Sequence, residues 1–163
     1  MAEPSRAASA SAPHIEGGRF LIVEARYYDA INAALLTGAT RALDAAGAAY
    51  DLVSVAGSLE IPTGIAIAVD AAAEAGHPYD GAIALGCVVR GETFHFEIVA
   101  GESARALMDL SVRRKLPLGN GILTTENIPQ AEVRADPARG DKGGEAARAA
   151  IGLALLRRRA AST

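Results

Sequence analysis

The feature that most constrains the fold of this chain is the alternation of short apolar runs with longer stretches of helical periodicity. Residues 20–23 are apolar without a break, which is typical of a strand buried on both faces of a parallel sheet. The sequence predicts three further strands, at residues 50–55, 81–89 and 118–123, of which the second is again almost wholly apolar. Because parallel neighbours are joined by crossover helices, this alternation predicts a parallel sheet.

Start and stop signals predict a helix after each strand. Asp29 is a candidate N-cap for the first helix, and Pro117 follows the end of the third. Asn127, followed three positions later by Gln130, indicates a capping box for a short fourth helix. The predicted helices run from 29 to Gly47, from 62 to Gly76, over 93–115, from 127 onward, and over 143–159. Together these elements predict an α/β fold, a doubly wound parallel four-stranded sheet with helices on both faces.

The length of 163 residues suits one domain with its own core. Residues 1–17 begin with an Ala- and Ser-rich stretch that contains Pro4 and Pro13, so we expect a disordered arm there. Residues 18–163 are then a single α/β domain.

Composition excludes several classes of function. The net charge of -3 supplies no basic field for nucleic acid, and no apolar run reaches the length of a membrane span. A lone cysteine, Cys87, rules out an internal disulfide framework, and three histidines form no Cys/His cluster at zinc spacing. We therefore expect a cytoplasmic protein without metal, nucleic-acid or membrane partners.

In a doubly wound sheet, ligands bind beyond the carboxyl ends of the strands. Residues 86–93 leave a predicted strand with the pattern G-x-x-x-x-G-E-T, which is a P-loop whose lysine is replaced by Glu92. A nucleoside triphosphate would meet a carboxylate there, so the loop favours one small anion such as a phosphate ester. The alternative is that Gly86 and Gly91 serve only the turn.

His95 follows this loop near the start of the predicted helix and off its apolar stripe. An imidazole at that position suits a general acid/base beside a bound anion, although a surface or capping histidine is the alternative.

A second strand-to-helix loop, residues 57–62, combines backbone amides with the hydroxyl of Ser58 and the carboxylate of Glu60. It suits a polyhydroxylated ligand, while ordinary helix capping by the same two side chains remains open. Tyr27 follows the first strand, where an aromatic ring either stacks on a heterocycle or packs in the loop. Arg134 and Lys142 flank the last loop and either complete an anion site or remain solvated.

Taken together, these motifs resemble those of the lumazine synthase family of riboflavin biosynthesis. The resemblance covers about residues 19–159 and rests on Tyr27, GSLEIP at 57–62, LGCVVRGETFH at 85–95, GILTTEN at 121–127, Arg134 and GDKG at 140–143. It implies a three-layer, flavodoxin-like fold. It also implies a cofactor-free transferase that condenses 5-amino-6-ribitylamino-pyrimidinedione with 3,4-dihydroxy-2-butanone 4-phosphate and releases phosphate and water.

The resemblance also implies roles for individual residues. His95 transfers protons, while the backbone N–H groups of Glu92 and Thr93, with Arg134 and Lys142, hold the phosphate. The remaining residues bind the pyrimidine substrate: Ser58, Leu59 and Glu60 its ribityl chain, main-chain groups of Cys87, Val88 and Val89 its ring edge, and Tyr27 its face.

Two positions depart from the commonest family pattern, and both concern the pyrimidine. Tyr27 stands where Phe or Trp is common, and Asn120 stands where many members have a Phe contributed across a subunit boundary. That shared site implies a homo-oligomer of at least a pentamer. A noncatalytic flavin- or lumazine-binding or shell-forming paralogue is the alternative function.

Overall fold

The computed structural model describes residues 13–163 and confirms the predicted fold class. Its four strands are β1 (Arg19–Ala25), β2 (Ala49–Val55), β3 (Gly81–Val89) and β4 (Leu118–Thr125). All neighbours in the sheet are parallel, in the order β2-β1-β3-β4. The chain therefore reverses its direction of winding between β1 and β3, which is where a doubly wound fold opens a ligand-binding crevice.

Five α-helices connect or follow the strands. They are α1 (Asp29–Ala45), α2 (Ile61–Glu74), α3 (His95–Arg114), α4 (Ile128–Ala135) and α5 (Lys142–Ala161). A 3₁₀ turn at Ser58–Glu60 precedes α2. Most bounds lie within two residues of the predicted ones, and β4 continues two residues past its predicted end.

The two faces of the sheet are covered by different helices. Along β1, Phe20 and Ile22 belong to a core with α1, α4 and α5, whereas Leu21 and Val23 belong to a core with α2 and α3. This alternation follows from the two-residue side-chain period of a strand. β2 is an edge strand, so most of its residues are exposed although they continue the sheet.

Helix ends show where sequence signals worked and where they failed. Gly47 and Gly76 follow α1 and α2 with φ of 71° and 79°, as expected for left-handed C-terminal residues. Asn127 caps α4 by accepting from the Gln130 N–H at 3.0 Å. The prediction that Asp29 caps α1 is wrong: Tyr28 is the N-cap and makes no side-chain cap. Asp29 is the first residue of the helix, and its carboxylate pairs with Arg26.

The predicted arm at residues 1–17 falls mostly outside the described residues. Within the part of it that the structure describes, Ile15 is fully buried in the core beside α1. Its backbone N–H donates to the Ala46 carbonyl at 2.9 Å. Across residues 13–163, no helix combines the length and apolarity needed to span a membrane.

Candidate active site

A cleft of about 580 Å³ opens at the carboxyl ends of the strands, beside the point where the strand order reverses. It brings together nine of the residues that the sequence singles out: Tyr27, Ser58, Leu59, Glu60, Cys87, Val88, Val89, Thr93 and His95. We call this cleft the His95 cleft. Its walls come from three separate loops, which the parallel sheet gathers at one edge.

The 57–60 loop forms one wall, and its polar groups are free of structural tasks. Neither the 3₁₀ turn nor α2 has a side-chain cap, so the capping alternative for Ser58 and Glu60 is wrong. Ser58 is buried, and its Oγ would lie 2.9 Å from a Cβ added to Gly86. Glycine at position 86 is thus required for the close approach of this loop to β3.

The end of β3 forms the floor of the cleft. Cys87 packs in the core that includes α1 and α5, since successive side chains of a strand point to opposite faces. Burial raises the pKa of the Cys87 thiol to about 11. The thiol is therefore protonated at neutral pH, which agrees with a packing residue and not with a nucleophile.

The 90–94 loop forms the wall nearest α3. Among the described residues, the backbone N–H groups of Glu92, Thr93 and Phe94 have no hydrogen-bond partner. They lie at the N-terminal end of α3, where the helix dipole favours negative charge. Glu92 does not itself line the cleft, although its neighbours Gly91 and Thr93 do.

His95 begins α3, two residues later than the predicted start of that helix. Its side chain is exposed in the cleft, and its backbone N–H contacts the Thr93 hydroxyl at 3.4 Å. Phe94, and not His95, occupies the N-cap position, and it makes no side-chain cap. The capping alternative for His95 is therefore wrong, and its imidazole is available to a ligand.

Tyr27 lies at the mouth of the cleft with 77% of its surface exposed. Its ring meets that of Tyr28 edge to face, with 5.1 Å between the centroids. The turn before it is fixed by Arg26, which donates to Asp29 at 2.7 Å and to the buried carboxylate of Glu24 at 3.3 Å. The Tyr27 ring is thus accessible to a ligand at the mouth of the cleft.

The remaining predicted residues lie elsewhere. Asn120, Arg134 and Lys142 line a second cleft of about 390 Å³ between β4, α4 and α5, which we call the Arg134 cleft. Lys142 pairs with Glu145 at 2.7 Å, whereas the Arg134 guanidinium donates only to the Gln130 carbonyl within the described chain. A single chain does not bring Arg134 and His95 into one cleft.

Sequence reasoning missed several groups around the site. Phe96 and Val99, both in α3, are half-buried and line the His95 cleft. Val99 could have been found, because residues four apart share a helix face and it follows His95 by four. Tyr28 also lines the cleft, and no sequence motif predicted this, because its position depends on the turn after β1.

The described residues contain no group of three or more His, Cys, Asp or Glu side chains arranged to hold a metal ion. The chemistry that the His95 cleft offers is instead an imidazole, a carboxylate at Glu60 and a row of unpaired backbone donors. Such groups can hold an anion, bind hydroxyls and move protons.

Comparison with known proteins agrees with this geometry. A family model for 6,7-dimethyl-8-ribityllumazine synthase matches residues 17–158. The protein of that name from Methylocella silvestris is 63% identical over 160 residues, covering 98% of each chain. 6,7-dimethyl-8-ribityllumazine synthase 1 of Rhodopseudomonas palustris is 59% identical over 161 residues, covering 99% of each chain.

6,7-dimethyl-8-ribityllumazine synthase 1 of Rhizobium meliloti is 63% identical over 139 residues, which are 85% of this chain and 91% of its own length. These matches extend over nearly the whole chain and include all the loops that form the two clefts. They favour an enzyme over a noncatalytic paralogue. The chain belongs to the 6,7-dimethyl-8-ribityllumazine synthase family.

Proposed function

We propose that this protein catalyses the condensation of 5-amino-6-ribitylamino-pyrimidinedione with 3,4-dihydroxy-2-butanone 4-phosphate, which yields 6,7-dimethyl-8-ribityllumazine, phosphate and water. Membership of the family supports the reaction. The observation that carries the proposal at this site is the cleft in which an exposed imidazole lies between a hydroxyl-binding loop and a row of unpaired backbone donors.

The pyrimidine substrate fits the part of the His95 cleft away from α3. The exposed ring of Tyr27 is placed to stack on the heterocycle. The main-chain groups of residues 87–89 are placed to form hydrogen bonds with the polar edge of the heterocycle. Ser58 and the Glu60 carboxylate suit hydroxyls of the ribityl chain. This arrangement uses side chains that the fold leaves without capping tasks.

The phosphate of the second substrate fits the N-terminal end of α3. There the unpaired N–H groups of Glu92 and Thr93 face a dianion together with the helix dipole. Arg134, which has no carboxylate partner in the described residues, supplies a guanidinium, and Lys142 supplies an ammonium already balanced by Glu145.

His95 acts as the proton carrier of the reaction. The amine of the pyrimidine adds to the ketone and water leaves, which forms an imine. Removal of a proton from the adjacent carbon expels phosphate and leaves an enol, which tautomerises to a ketone. The ribityl-bearing nitrogen then adds to this ketone, and loss of a second water closes the ring. Each of these steps requires a proton to be removed from one atom and delivered to another. Holding both substrates side by side supplies much of the acceleration, because it removes the translational cost of their encounter.

The site is composite between chains. Asn120, Arg134 and Lys142 line a cleft of their own. We propose that the Arg134 cleft of one subunit completes the His95 cleft of its neighbour. Pairing two different surfaces head to tail generates a closed ring when the rotation between neighbouring subunits closes. We propose a homo-oligomer of at least five subunits, located in the cytoplasm, where the buried thiol of Cys87 remains reduced.

Mixing the purified protein with both substrates tests the proposal directly. Formation of the fluorescent lumazine and release of inorganic phosphate in equal amounts are expected, and sedimentation should give a pentamer or a larger assembly. Tight lumazine binding with no turnover would instead identify the noncatalytic alternative. A monomer in solution would remove the composite site.

A further inference from the structure

Arg90 joins three elements around the loop that precedes His95. Its Nε donates to Glu126 beyond β4 at 2.7 Å, one of its terminal nitrogens donates to Glu97 in the first turn of α3, and its Cζ lies 4.2 Å from the centroid of the Phe96 ring. We call this set of contacts the Arg90 bridge. The guanidinium also holds the pKa of Glu97 below its ordinary value, so that the carboxylate is ionised at neutral pH.

The Arg90 bridge closes residues 90–97 into a ring that contains Glu92, Thr93 and His95. Within this ring, the backbone N–H groups of residues 92–94 have no partner among the described residues. The loop therefore has few hydrogen bonds of its own to fix its shape. Its two ends are instead held together by the side chains of Arg90 and Glu97.

The second arm of the bridge leads to the other cleft. The Glu126 N–H donates to the Gln130 side chain at 3.0 Å, and the Gln130 carbonyl accepts from Arg134 at 3.0 Å. The carboxylate that Arg90 contacts thus belongs to the turn that begins α4. The bridge joins the 90–94 loop to the helix that carries Arg134 in the same chain.

We propose that Arg90 is a positioning residue for the phosphate substrate: by binding Glu97 and Glu126 together, it holds the 90–94 loop in the shape that aims its backbone donors at the phosphate. This inference rests on the proposed function. Arg90 does not line either cleft, so it acts through the loop.

Arginine is the residue type that this role requires. A planar guanidinium binds two carboxylates at fixed angles while its face stacks on a ring, whereas a lysine ammonium is a point charge that cannot reproduce this geometry. Isolated exposed ion pairs contribute little. Here the exposed fraction of the side chain is 39% for Arg90 and Glu97 and 59% for Glu126, so neither ion pair alone carries the role. The role rests on one guanidinium that contacts both carboxylates and the Phe96 ring.

A simpler alternative is that Arg90 only provides positive charge near the phosphate dianion. This alternative predicts the opposite effect on phosphate binding when Glu97 or Glu126 is substituted. Removing the charge of Glu97 or Glu126 would then strengthen phosphate binding. If Arg90 instead positions the loop, the same substitutions weaken phosphate binding, because each removes one arm of the bridge.

The test uses the full-length protein, with inorganic phosphate as the probe in titration calorimetry and both substrates in steady-state kinetics. The variants are Arg90→Lys, Arg90→Gln, Glu97→Gln and Glu126→Gln. Glu102→Gln is the matched control, since it removes the same charge from α3 and breaks an exposed pair with Arg105. Thermal melts check that each variant is folded.

We expect Arg90→Gln to raise the KM of the phosphate substrate about tenfold and to leave the KM of the pyrimidine unchanged. Arg90→Lys, Glu97→Gln and Glu126→Gln should weaken phosphate binding in the same direction, and Glu102→Gln should not. Equal or tighter phosphate binding by Glu97→Gln and Glu126→Gln would overturn the inference. A wild-type protein that binds phosphate but forms no lumazine would contradict the proposed function and not the role of Arg90.

Discussion

At the scale of single residues, the proposed function depends on polar side chains that make no capping hydrogen bond in the fold. Ser58, Glu60 and His95 all occupy helix starts, where such residues commonly cap, yet none of them caps its helix. At the start of α3, the backbone N–H groups of residues 92–94 have no hydrogen-bond partner among the described residues. Polar side chains that are free at the rim of a cleft are available to a ligand.

His95→Ala tests the role of the imidazole. We expect kcat to fall by no more than about 10²- to 10⁴-fold, the range for loss of a general acid/base, because positioning of the two substrates supplies much of the acceleration. The KM values should change little. Steady-state kinetics with both substrates provides the measurement, and a fully active variant would remove His95 from the mechanism.

The reactivity of the Cys87 thiol tests whether this side chain is buried in the floor of the cleft. Because burial raises its pKa from 9.0 to about 11, the native thiolate fraction at pH 8 should be about 10²-fold lower than that of an unperturbed thiol. Reaction with a disulfide reagent should accordingly be slow in the native protein and fast in urea. Equal rates in both states would contradict the burial of this side chain.

The same shift has a consequence for stability. The unfolded thiol ionises near pH 9.0 and the native thiol near 11, so the unfolded state binds fewer protons between these values. The stabilising contribution of Cys87 is thus complete below pH 9.0 and is lost as the pH rises toward 11. Cys87→Ala should lack this part of the pH dependence in denaturant titrations.

At the scale of elements, the shape of the Arg134 cleft depends on how closely α5 approaches its neighbours. A Cβ at Gly143, in the first turn of α5, would lie 2.0 Å from the Leu35 carbonyl oxygen of α1. A rigid backbone atom cannot move aside, so only glycine permits this approach. Lys142, which lines the Arg134 cleft, begins the same helix.

Two glycine substitutions in α5 should have opposite effects on stability. Gly143→Ala should destabilise the protein by about 1–3 kcal/mol through overpacking, which corresponds to roughly 2–4 °C in Tm per kcal/mol. Gly152→Ala has open space around its Cβ and should stabilise by about 0.5–1 kcal/mol. Thermal melts of both variants measure the two changes in Tm. Changes of the same sign would contradict the packing described for α5.

Prediction from the sequence worked best where local chemistry decides the outcome. Apolar runs identified β1 and β3, and Gly47 and Gly76 marked helix ends at positive φ. It failed at Asp29, which is the first residue inside α1 and pairs with Arg26 across the turn after β1. Lys115 follows α3 with φ of 51°, a left-handed conformation that lysine rarely adopts, so its residue type did not predict it.

At the scale of the whole molecule, the sequence led to the residues of both clefts but not to their separation. The family motifs imply that Arg134 and His95 act in one site, whereas these residues line different clefts of a single chain. No local pattern records which surfaces of two chains meet. The Arg90 bridge was missed for a related reason, since Glu97 and Glu126 lie 7 and 36 residues from Arg90 along the chain.

The central claim, that each active site combines the His95 cleft of one chain with the Arg134 cleft of another, is tested most directly by subunit mixing. His95→Ala and Arg134→Ala are each defective in a different half of the site. When equal amounts are unfolded and reassembled together, random pairing in a ring should restore about one quarter of the wild-type sites. Lumazine formation at that level is the predicted result, and a mixture no more active than the two variants assembled separately would contradict the claim.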